Sequence, residues 1–191
     1  MRLHVHKKGL RAFGIAESFQ KGKSKEAILA GVVMRGDFQI DGFALTKITV
    51  GGLDATEGVL SLFEDLKRRD INLLLLNGCV ISWYNIVELN KVFKKIQLPL
   101  ICVTYEESEG LEKFFKDNFK DWRKRVAKYR KLGSRTPIKL HTRKKVLVRF
   151  LGIESEKEVK RVLDKFTLQG AVPEPLRVAR LLARAMMRSS Q

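Results

Sequence analysis

Four polar residues fall where predicted strands end or where a predicted helix begins. Glu17 closes an apolar run, Asn77 ends a run of leucines, and Asp54 and Glu57 open a helical pattern between them. Cleavage of a phosphodiester with Mg²⁺ or Mn²⁺ needs two or more carboxylates at a sheet edge, because a hard cation prefers oxygen ligands and keeps waters that supply the nucleophile. The pattern therefore predicts a catalytic site of Glu17, Asp54, Glu57 and Asn77, with Glu17 and Asp54 as metal ligands.

The same residues also have structural explanations. Asp54-x-x-Glu57 fits a helix capping box, in which each side chain bonds a backbone N–H of the other residue. Glu88 stands three residues after Asn85, a predicted N-cap, and has the same explanation. Asn77 offers a neutral oxygen without charge, which weakens a metal site. The residue types and their spacing are therefore compatible both with a nuclease site and with a set of helix caps.

The hydrophobic pattern predicts an α/β fold. Three apolar runs separated by turn signals indicate an antiparallel meander, and alternating helices and strands after it indicate parallel strands joined by right-handed crossovers. This is the order of the ribonuclease H-like fold, which places metal-binding acids at the ends of its first strand and its first parallel strand. The predicted strands are 11–18, 27–35, 43–50, 72–78 and 98–104, and the predicted helices are 54–69, 85–96 and 108–118.

Positive charge is concentrated after residue 119. The 191 residues carry a net charge of +17, and the part from Lys120 onward holds 21 Lys and Arg against 6 acids. Trp122 and Tyr129 lie among these basic residues, which suits a phosphate backbone with stacked bases, so we expect a nucleic acid, DNA rather than RNA, as partner. A solvated basic face is the alternative. The predicted nucleic-acid-binding residues are Arg123, Lys124, Arg125, Lys128, Arg143, Lys144, Lys145, Arg177 and Arg180.

The basic region, residues 121–191, is predicted to pack on the core within a single domain, 1–191. A helical period covers 121–132, and 138–152 alternates as one strand or a hairpin. Ser155 and Glu158 form a capping box for a helix over 155–170. A final helix begins at the prolines of PEPLRVARLLARAMM.

Several function classes are excluded. Cys79 and Cys102 lie in apolar stretches, which predicts buried thiols and a cytoplasmic protein. The polar opening excludes a signal peptide, and no apolar run reaches roughly twenty residues, so we expect a soluble protein without a membrane partner. His4, His6 and His141 lack a companion cluster and are predicted to be structural or surface residues. The spacing of the glycines and serines matches no phosphate-binding loop and no nucleophile elbow.

Six segments resemble the archaeal endonuclease dU family, which is distantly similar to endonuclease V. The likeness spans Arg11 to about Ala185. The resemblance implies a ribonuclease H-like, endonuclease V-like fold, a divalent metal, and incision of DNA near a deaminated base, as in DNA repair. The segments are GIAES, GVVMRG, DGFALTKITVGGLDATE, LLLLNGCVISWYNIVEL, LPLICVTYE and PEPLRVARLLA.

The resemblance breaks at positions that carry charge in the family. The family's first strand ends in Gly-hydrophobic-Asp-Asp, and these acids fall on Ala16 and Glu17. Further family Asp residues fall on Gly51 and Asn77, and a His of the last helix falls on Arg180. Since charge at the metal stabilises the transition state, losing it removes most activity.

Two functions follow from the resemblance and its breaks. The first is a metal-dependent endonuclease that uses Glu17, Asp54 and Glu57, with Glu88 as a further acid. The second is a catalytically inactive DNA- or RNA-binding protein that needs no metal. A basic structural or ribosome-associated protein is a third.

Overall fold

Strands and helices alternate along residues 5–107 and 110–189, the part of the chain that the computed structural model describes. In chain order they are β1 (Arg11–Ser18), β2 (Glu26–Arg35), β3 (Ile40–Thr49), α1 (Ala55–Asp65), β4 (Leu73–Asn77), β5 (Val80–Ile81), β6 (Asn85–Ile86), α2 (Leu89–Ile96), β7 (Leu100–Thr104), α3 (Glu112–Asn118), α4 (Trp122–Arg130), β8 (Thr136–Lys139), β9 (Lys145–Leu151), α5 (Glu156–Phe166) and α6 (Glu174–Ser189).

Seven strands form one mixed sheet in the order β3-β2-β1-β4-β7-β9-β8. The first three strands pair antiparallel, and β4 pairs parallel with both β1 and β7. The predicted ribonuclease H-like fold is therefore confirmed. The segment predicted as a strand or hairpin, 138–152, holds the end of β8, the turn and all of β9, a hairpin that continues the same sheet beside β7.

Each central strand divides its side chains between two helical layers, because successive strand residues point to opposite faces. In β1, Phe13 and Ile15 pack with α1 and α2, whereas Ala12 and Ala16 pack with α5 and α6. The burial of these apolar faces is the main force that holds the layers together. The side chains of neighbouring residues at a strand end therefore point to different faces of the sheet. This determines which side chains can contact each other at the candidate site.

The predicted helices are longer than the observed ones. The helix predicted to run to residue 69 ends at Asp65, and Lys67 has a left-handed φ of 49°, which helical residues do not adopt. The helix predicted from residue 108 begins at Glu112, and residues 108 and 109 lie outside the described ranges. The Ser155 half of the predicted capping box of α5 is confirmed, since the Ser155 side chain accepts the N–H of Glu158 at 3.3 Å.

The remaining predictions concern cysteines, histidines and membrane helices. Cys79 and Cys102 are buried free thiols, as predicted. His6 and His141 are exposed, and His4 lies outside the described residues. Within residues 5–107 and 110–189, none of the helices combines the length and apolar character that crossing a membrane requires.

Gly14 lets α6 lie directly on β1. A Cβ atom at Gly14 would fall 2.5 Å from Pro175 Cβ and 2.6 Å from the Pro175 carbonyl carbon. Both distances are far below van der Waals contact, and the backbone of α6 cannot give way without moving the helix. The absence of a side chain at Gly14 thus fixes how close α6 comes to the ends of β1 and β4.

Replacing Gly14 with alanine is expected to lower the free energy of unfolding by about 1–3 kcal/mol, because the added methyl overpacks the β1–α6 contact. Guanidinium denaturation measures the change. Gly9→Ala is the control, since a Cβ there meets no atom within 4 Å. Equal unfolding midpoints for the two variants would show that α6 does not press on β1 at this point.

Candidate functional site

Asp54 is held by the turn that precedes α1. Its Oδ2 accepts the Thr49 N–H at 3.0 Å and the Thr49 hydroxyl at 2.8 Å, and its Oδ1 accepts the Asn85 amide at 2.6 Å. Partial burial acts to raise the pKa of Asp54, but these hydrogen bonds outweigh burial and hold the pKa below its ordinary value. Asp54 makes no side-chain cap to α1, so the predicted capping box is wrong.

Asn85 caps α1 from a distant part of the chain. Its Oδ1 accepts the Ala55 N–H at 3.0 Å, while its Nδ2 donates to the Thr49 carbonyl and to Asp54. The prediction that Asn85 is the N-cap of α2 is therefore wrong, since α2 begins only at Leu89. Asn85 is fully buried, and every polar atom of its amide has a partner. Asp54 and Asn85 together form a structural network.

Glu57 and Glu88 do not join Asp54. Glu57 is exposed on α1. Glu88 Oε1 accepts from Lys91 Nζ and Lys128 Nζ, both at 2.7 Å. Burial acts to raise the pKa of Glu88, but the two lysines lower it below its ordinary value. Glu88 therefore ties α4 to the start of α2, as a structural ion pair.

Glu17 lies on the α1 face of the sheet, at the end of β1. Its Oε1 accepts the Ser82 N–H at 3.4 Å, and its buried Oε2 has no hydrogen-bond partner among the described residues. Burial raises the pKa of Glu17, and the bond from Ser82 only partly opposes that. The carboxyl is thus poorly suited to carry charge.

Three consecutive left-handed residues form the turn between β5 and β6, beside Glu17. Ser82, Trp83 and Tyr84 have φ values of 43°, 60° and 68°. Such a conformation is costly for residues with side chains and persists only where surrounding contacts impose it. Here the Ser82 carbonyl accepts the Gly51 N–H at 2.8 Å, and the Tyr84 carbonyl accepts from Arg125 Nη1 at 3.1 Å.

The turn presents an aromatic cluster that sequence reasoning missed. Tyr84 stacks on Phe114 with ring centroids 4.3 Å apart, and Trp83 meets Phe114 edge-on at 5.9 Å. Lys21 Nζ lies 4.4 Å from the Trp83 ring. Aromatic rings next to a cation are suited to stacking nucleobases. The run of Ser, Trp and Tyr after the buried strand was the available signal.

On the opposite face, Ala16, Asn77 and Arg180 meet at the ends of β1 and β4. Strand pairing aligns Ile15 with Leu76, so Ala16 and Asn77 follow as neighbours. Ala16 is buried against Ala179 of α6, and the next residue, Arg180, lines a cavity with Asn77.

The cavity has a volume of about 230 Å³ and lies beside the end of β7. Asn77 Oδ1 and the Tyr105 hydroxyl are buried and have no hydrogen-bond partner among the described residues. Burial raises the pKa of Tyr105 far above its ordinary value, while the charge of Arg180 acts in the opposite direction. Tyr105 is therefore a neutral hydroxyl at neutral pH. The complete lining is Asn77, Gly78, Val103, Thr104, Tyr105, Glu106 and Arg180.

Neither face has a donor set that fits a divalent cation. On the α6 face the groups are a neutral amide, a neutral phenol and a guanidinium, with one exposed carboxylate, Glu106. On the α1 face Asp54 is saturated by hydrogen bonds, and Glu17 is isolated in a buried position. Within the described residues, no group of three or more His, Cys, Asp and Glu could hold a metal ion. Hard cations need several oxygen ligands with negative charge.

Arg125 was predicted to bind nucleic acid, but it is buried in the protein. It is 4% exposed, and its guanidinium donates to Asp121 Oδ1 and to the carbonyls of Gly51, Gly52 and Tyr84 at 2.7–3.1 Å. These partners hold it inside the protein, so Arg125 is not free to bind a phosphate. It instead fastens α4 to the turns that carry Asp54 and Trp83.

Arg180 lines the cavity described above, and the other seven predicted basic residues fall into two groups. Ion pairs engage three of them: Lys128 with Glu88, Lys145 with Glu107, and Arg177 with Glu174. Four are exposed and pair with no carboxylate of the described chain; these are Arg123, Lys124, Arg143 and Lys144. Arg123 also lies 5.2 Å from the Trp122 ring. The four exposed residues are called the exposed basic set below.

Sequence comparison places the chain among archaeal proteins. The model of the family described as Endonuclease dU matches residues 8–187. A UPF0215 protein of Pyrobaculum calidifontis is 37% identical over 170 residues, covering 88% of this chain and 92% of that protein. A UPF0215 protein of Pyrococcus furiosus is 30% identical over 187 residues, covering 95% and 94%.

Solved structures share the fold. A protein of unknown function from Archaeoglobus fulgidus superposes with a TM-score of 0.77 at 23% identity, over 93% of this chain and 98% of that one. Endonuclease V of Ciona intestinalis, in complex with a 24mer DNA containing an inosine followed by a ribo-adenosine, gives 0.66 at 15% identity, over 96% and 88%. Human ENDOV gives 0.62 at 18% identity, over 95% and 85%.

Proposed function

Because the chain belongs to the Endonuclease dU family, which its residues 8–187 match, we propose that it is a nucleic-acid-binding protein in which metal-dependent cleavage has been lost. The main support for this proposal is the set of residue types at the sheet edge where β1 and β4 end. Ala16 and Asn77 stand there instead of acids, and Arg180 supplies positive charge to the same cavity.

The electrostatics of this edge oppose metal catalysis. A divalent cation near a guanidinium is repelled, and no carboxylate of β1 or β4 faces α6 to offset that. The surviving acids Asp54 and Glu88 have structural partners, which they would have to give up to bind a metal. Phosphodiester cleavage that depends on metal charge therefore lacks its main source of transition-state stabilisation.

Binding is supported by surface features that need no metal. The exposed basic set offers four cations to a phosphate backbone, and the Trp83–Phe114 cluster offers rings for stacking. We propose DNA as the nucleic acid, because a protein of the same fold, Ciona endonuclease V, is seen with DNA. Two buried free thiols support a cytoplasmic setting.

Binding to a labelled DNA duplex is expected to weaken steeply with salt, with a slope of log affinity against log salt of about −3 to −4 for four phosphate contacts. Fluorescence anisotropy at several salt concentrations measures it. Lys124→Gln should make the slope shallower by about 1. Addition of EDTA should leave both the DNA affinity and its salt dependence unchanged. Binding that is insensitive to salt, or that requires Mg²⁺ or Mn²⁺, would contradict the proposal.

A further inference from the structure

We propose that the cavity lined by Asn77, Tyr105 and Arg180 is a metal-free phosphate-binding site. The inference rests on the proposed function and deepens it: one backbone phosphate of the nucleic acid would enter this cavity and bind side chains directly. The site lies on the α6 face, and it would fix the position of the bound strand relative to the sheet.

The cavity is built by three separate elements. Asn77 is the last residue of β4, Tyr105 follows the end of β7, and Arg180 comes from α6. Contact between Gly14 and Pro175 sets the distance of α6 from the sheet. The volume of about 230 Å³ far exceeds the roughly 30 Å³ share of one water molecule, so a phosphate group has room.

The donors in the cavity match an anion. Arg180 forms an ion pair with no carboxylate of the described residues, and its planar guanidinium can donate two parallel N–H bonds to phosphate oxygens. Tyr105 keeps its proton and can donate it, and the Asn77 amide carries two more N–H donors.

Unsatisfied polar atoms also point to a ligand. Asn77 Oδ1 and the Tyr105 hydroxyl are both buried without a hydrogen-bond partner in the described part of the chain. Buried polar groups are nearly always hydrogen-bonded, so the unpaired Tyr105 hydroxyl indicates a ligand with an acceptor, as a phosphate oxygen is, whereas Asn77 Oδ1 is itself an acceptor and needs a donor that a phosphate diester lacks. A phosphate that binds Arg180 can accept from the Tyr105 hydroxyl and from Asn77 Nδ2, so the orphan that it satisfies is the hydroxyl.

The local charge favours an anion over a cation. Arg184 is exposed one turn further along α6, and Arg177 lies one turn before Arg180, although Glu174 neutralises it. The carboxylate that reaches the cavity belongs to Glu106, which is exposed and therefore screened by solvent and salt. The same positive charges would repel a metal ion.

Titration with inorganic phosphate tests the site without nucleic acid. Phosphorus NMR line broadening, with thermal shift as a second readout, follows binding to the wild type, Arg180→Gln, Tyr105→Phe and Arg184→Gln. We expect Arg180→Gln to weaken phosphate binding about tenfold, as loss of a charge-assisted hydrogen bond does, and Arg184→Gln to change it less than about twofold. Equal loss in the two arginine variants would overturn the site.

The same variants are then measured with a labelled DNA duplex. Arg180→Gln should weaken DNA binding about tenfold, and added phosphate should compete in the wild type but not in this variant. Tyr105→Phe, which removes one oxygen, should also weaken the binding of both phosphate and DNA. It provides a second test of the cavity should Arg180→Gln fail to fold. If DNA binding is tight and neither Arg180→Gln nor added phosphate changes it, the cavity is not a phosphate-binding site, but the proposed function stands. Wild-type protein that binds phosphate here but no DNA would refute the function instead.

Discussion

Replacing Arg125 with alanine is expected to lower the free energy of unfolding by about 3–5 kcal/mol, because it removes a buried cation and leaves its partners unpaired. The side chain is 4% exposed and bonds three backbone carbonyls in two separate turns, besides Asp121. Its removal leaves these carbonyls without donors and opens a cavity against Phe119, whose ring centroid lies 3.9 Å from the guanidinium carbon.

Guanidinium denaturation of Arg125→Ala measures this loss, and Arg123→Ala is the matched control. Arg123 lies on the same helix but is exposed, so its removal should change stability by no more than about 0.5 kcal/mol. Arg125→Met, which keeps most of the volume, separates lost packing from lost hydrogen bonds. If Arg125→Ala were as stable as Arg123→Ala, α4 would not be anchored through Arg125.

Restoring family charges at Ala16, Asn77 and Arg180 is expected to produce metal-dependent incision of DNA. The triple variant Ala16→Asp, Asn77→Asp, Arg180→His removes a cation and adds two carboxylates at adjacent strand ends. We expect its rate of incision with Mg²⁺ or Mn²⁺ to exceed that of the wild type by about 10²–10³-fold, since charge placed at a reacting phosphate contributes that much.

The control for this variant keeps the shapes but omits the charge: Ala16→Asn with Arg180→His, and Asn77 unchanged. Calorimetric titration with Mn²⁺ should give binding to the triple variant and none to the control. Ala16 is 2% exposed against Ala179, so both variants should be less stable than the wild type. Manganese binding by the control as tight as by the triple variant would show that charge at these positions is not what the site lacks.

The sequence predicted the sheet well, because its information is local. The apolar runs of β1, β2 and β4 are set by burial on both faces, and the alternation in β3 is set by burial on one face with the other exposed. The Ser155 cap of α5 was found because its partner, the Glu158 N–H, lies only three residues away. Boundaries of α1 and α2 were missed where distant contacts decide them, as at Asn85, which caps α1 from 30 residues away.

The candidate site was harder to predict, since it depends on which face each residue serves. Glu17 and Asn77 both lie at strand ends, yet they point to opposite faces, and Ala16 is the residue that shares a face with Asn77. Arg125 looked like a surface cation because its charge is visible in the sequence, whereas its carbonyl partners lie 41 to 74 residues away. Tyr105 carries no motif that marks it.

The wild-type arm of the incision assay tests most directly whether metal-dependent cleavage has been lost. Labelled DNA duplexes and single strands that carry inosine or uracil are incubated with the wild-type protein and Mg²⁺ or Mn²⁺, at a protein concentration where anisotropy shows them to be bound. The loss of metal-dependent cleavage predicts bound but intact DNA. Metal-dependent product that disappears with Glu17→Gln would contradict it, because the buried carboxyl at the end of β1 would then be serving a working nuclease site.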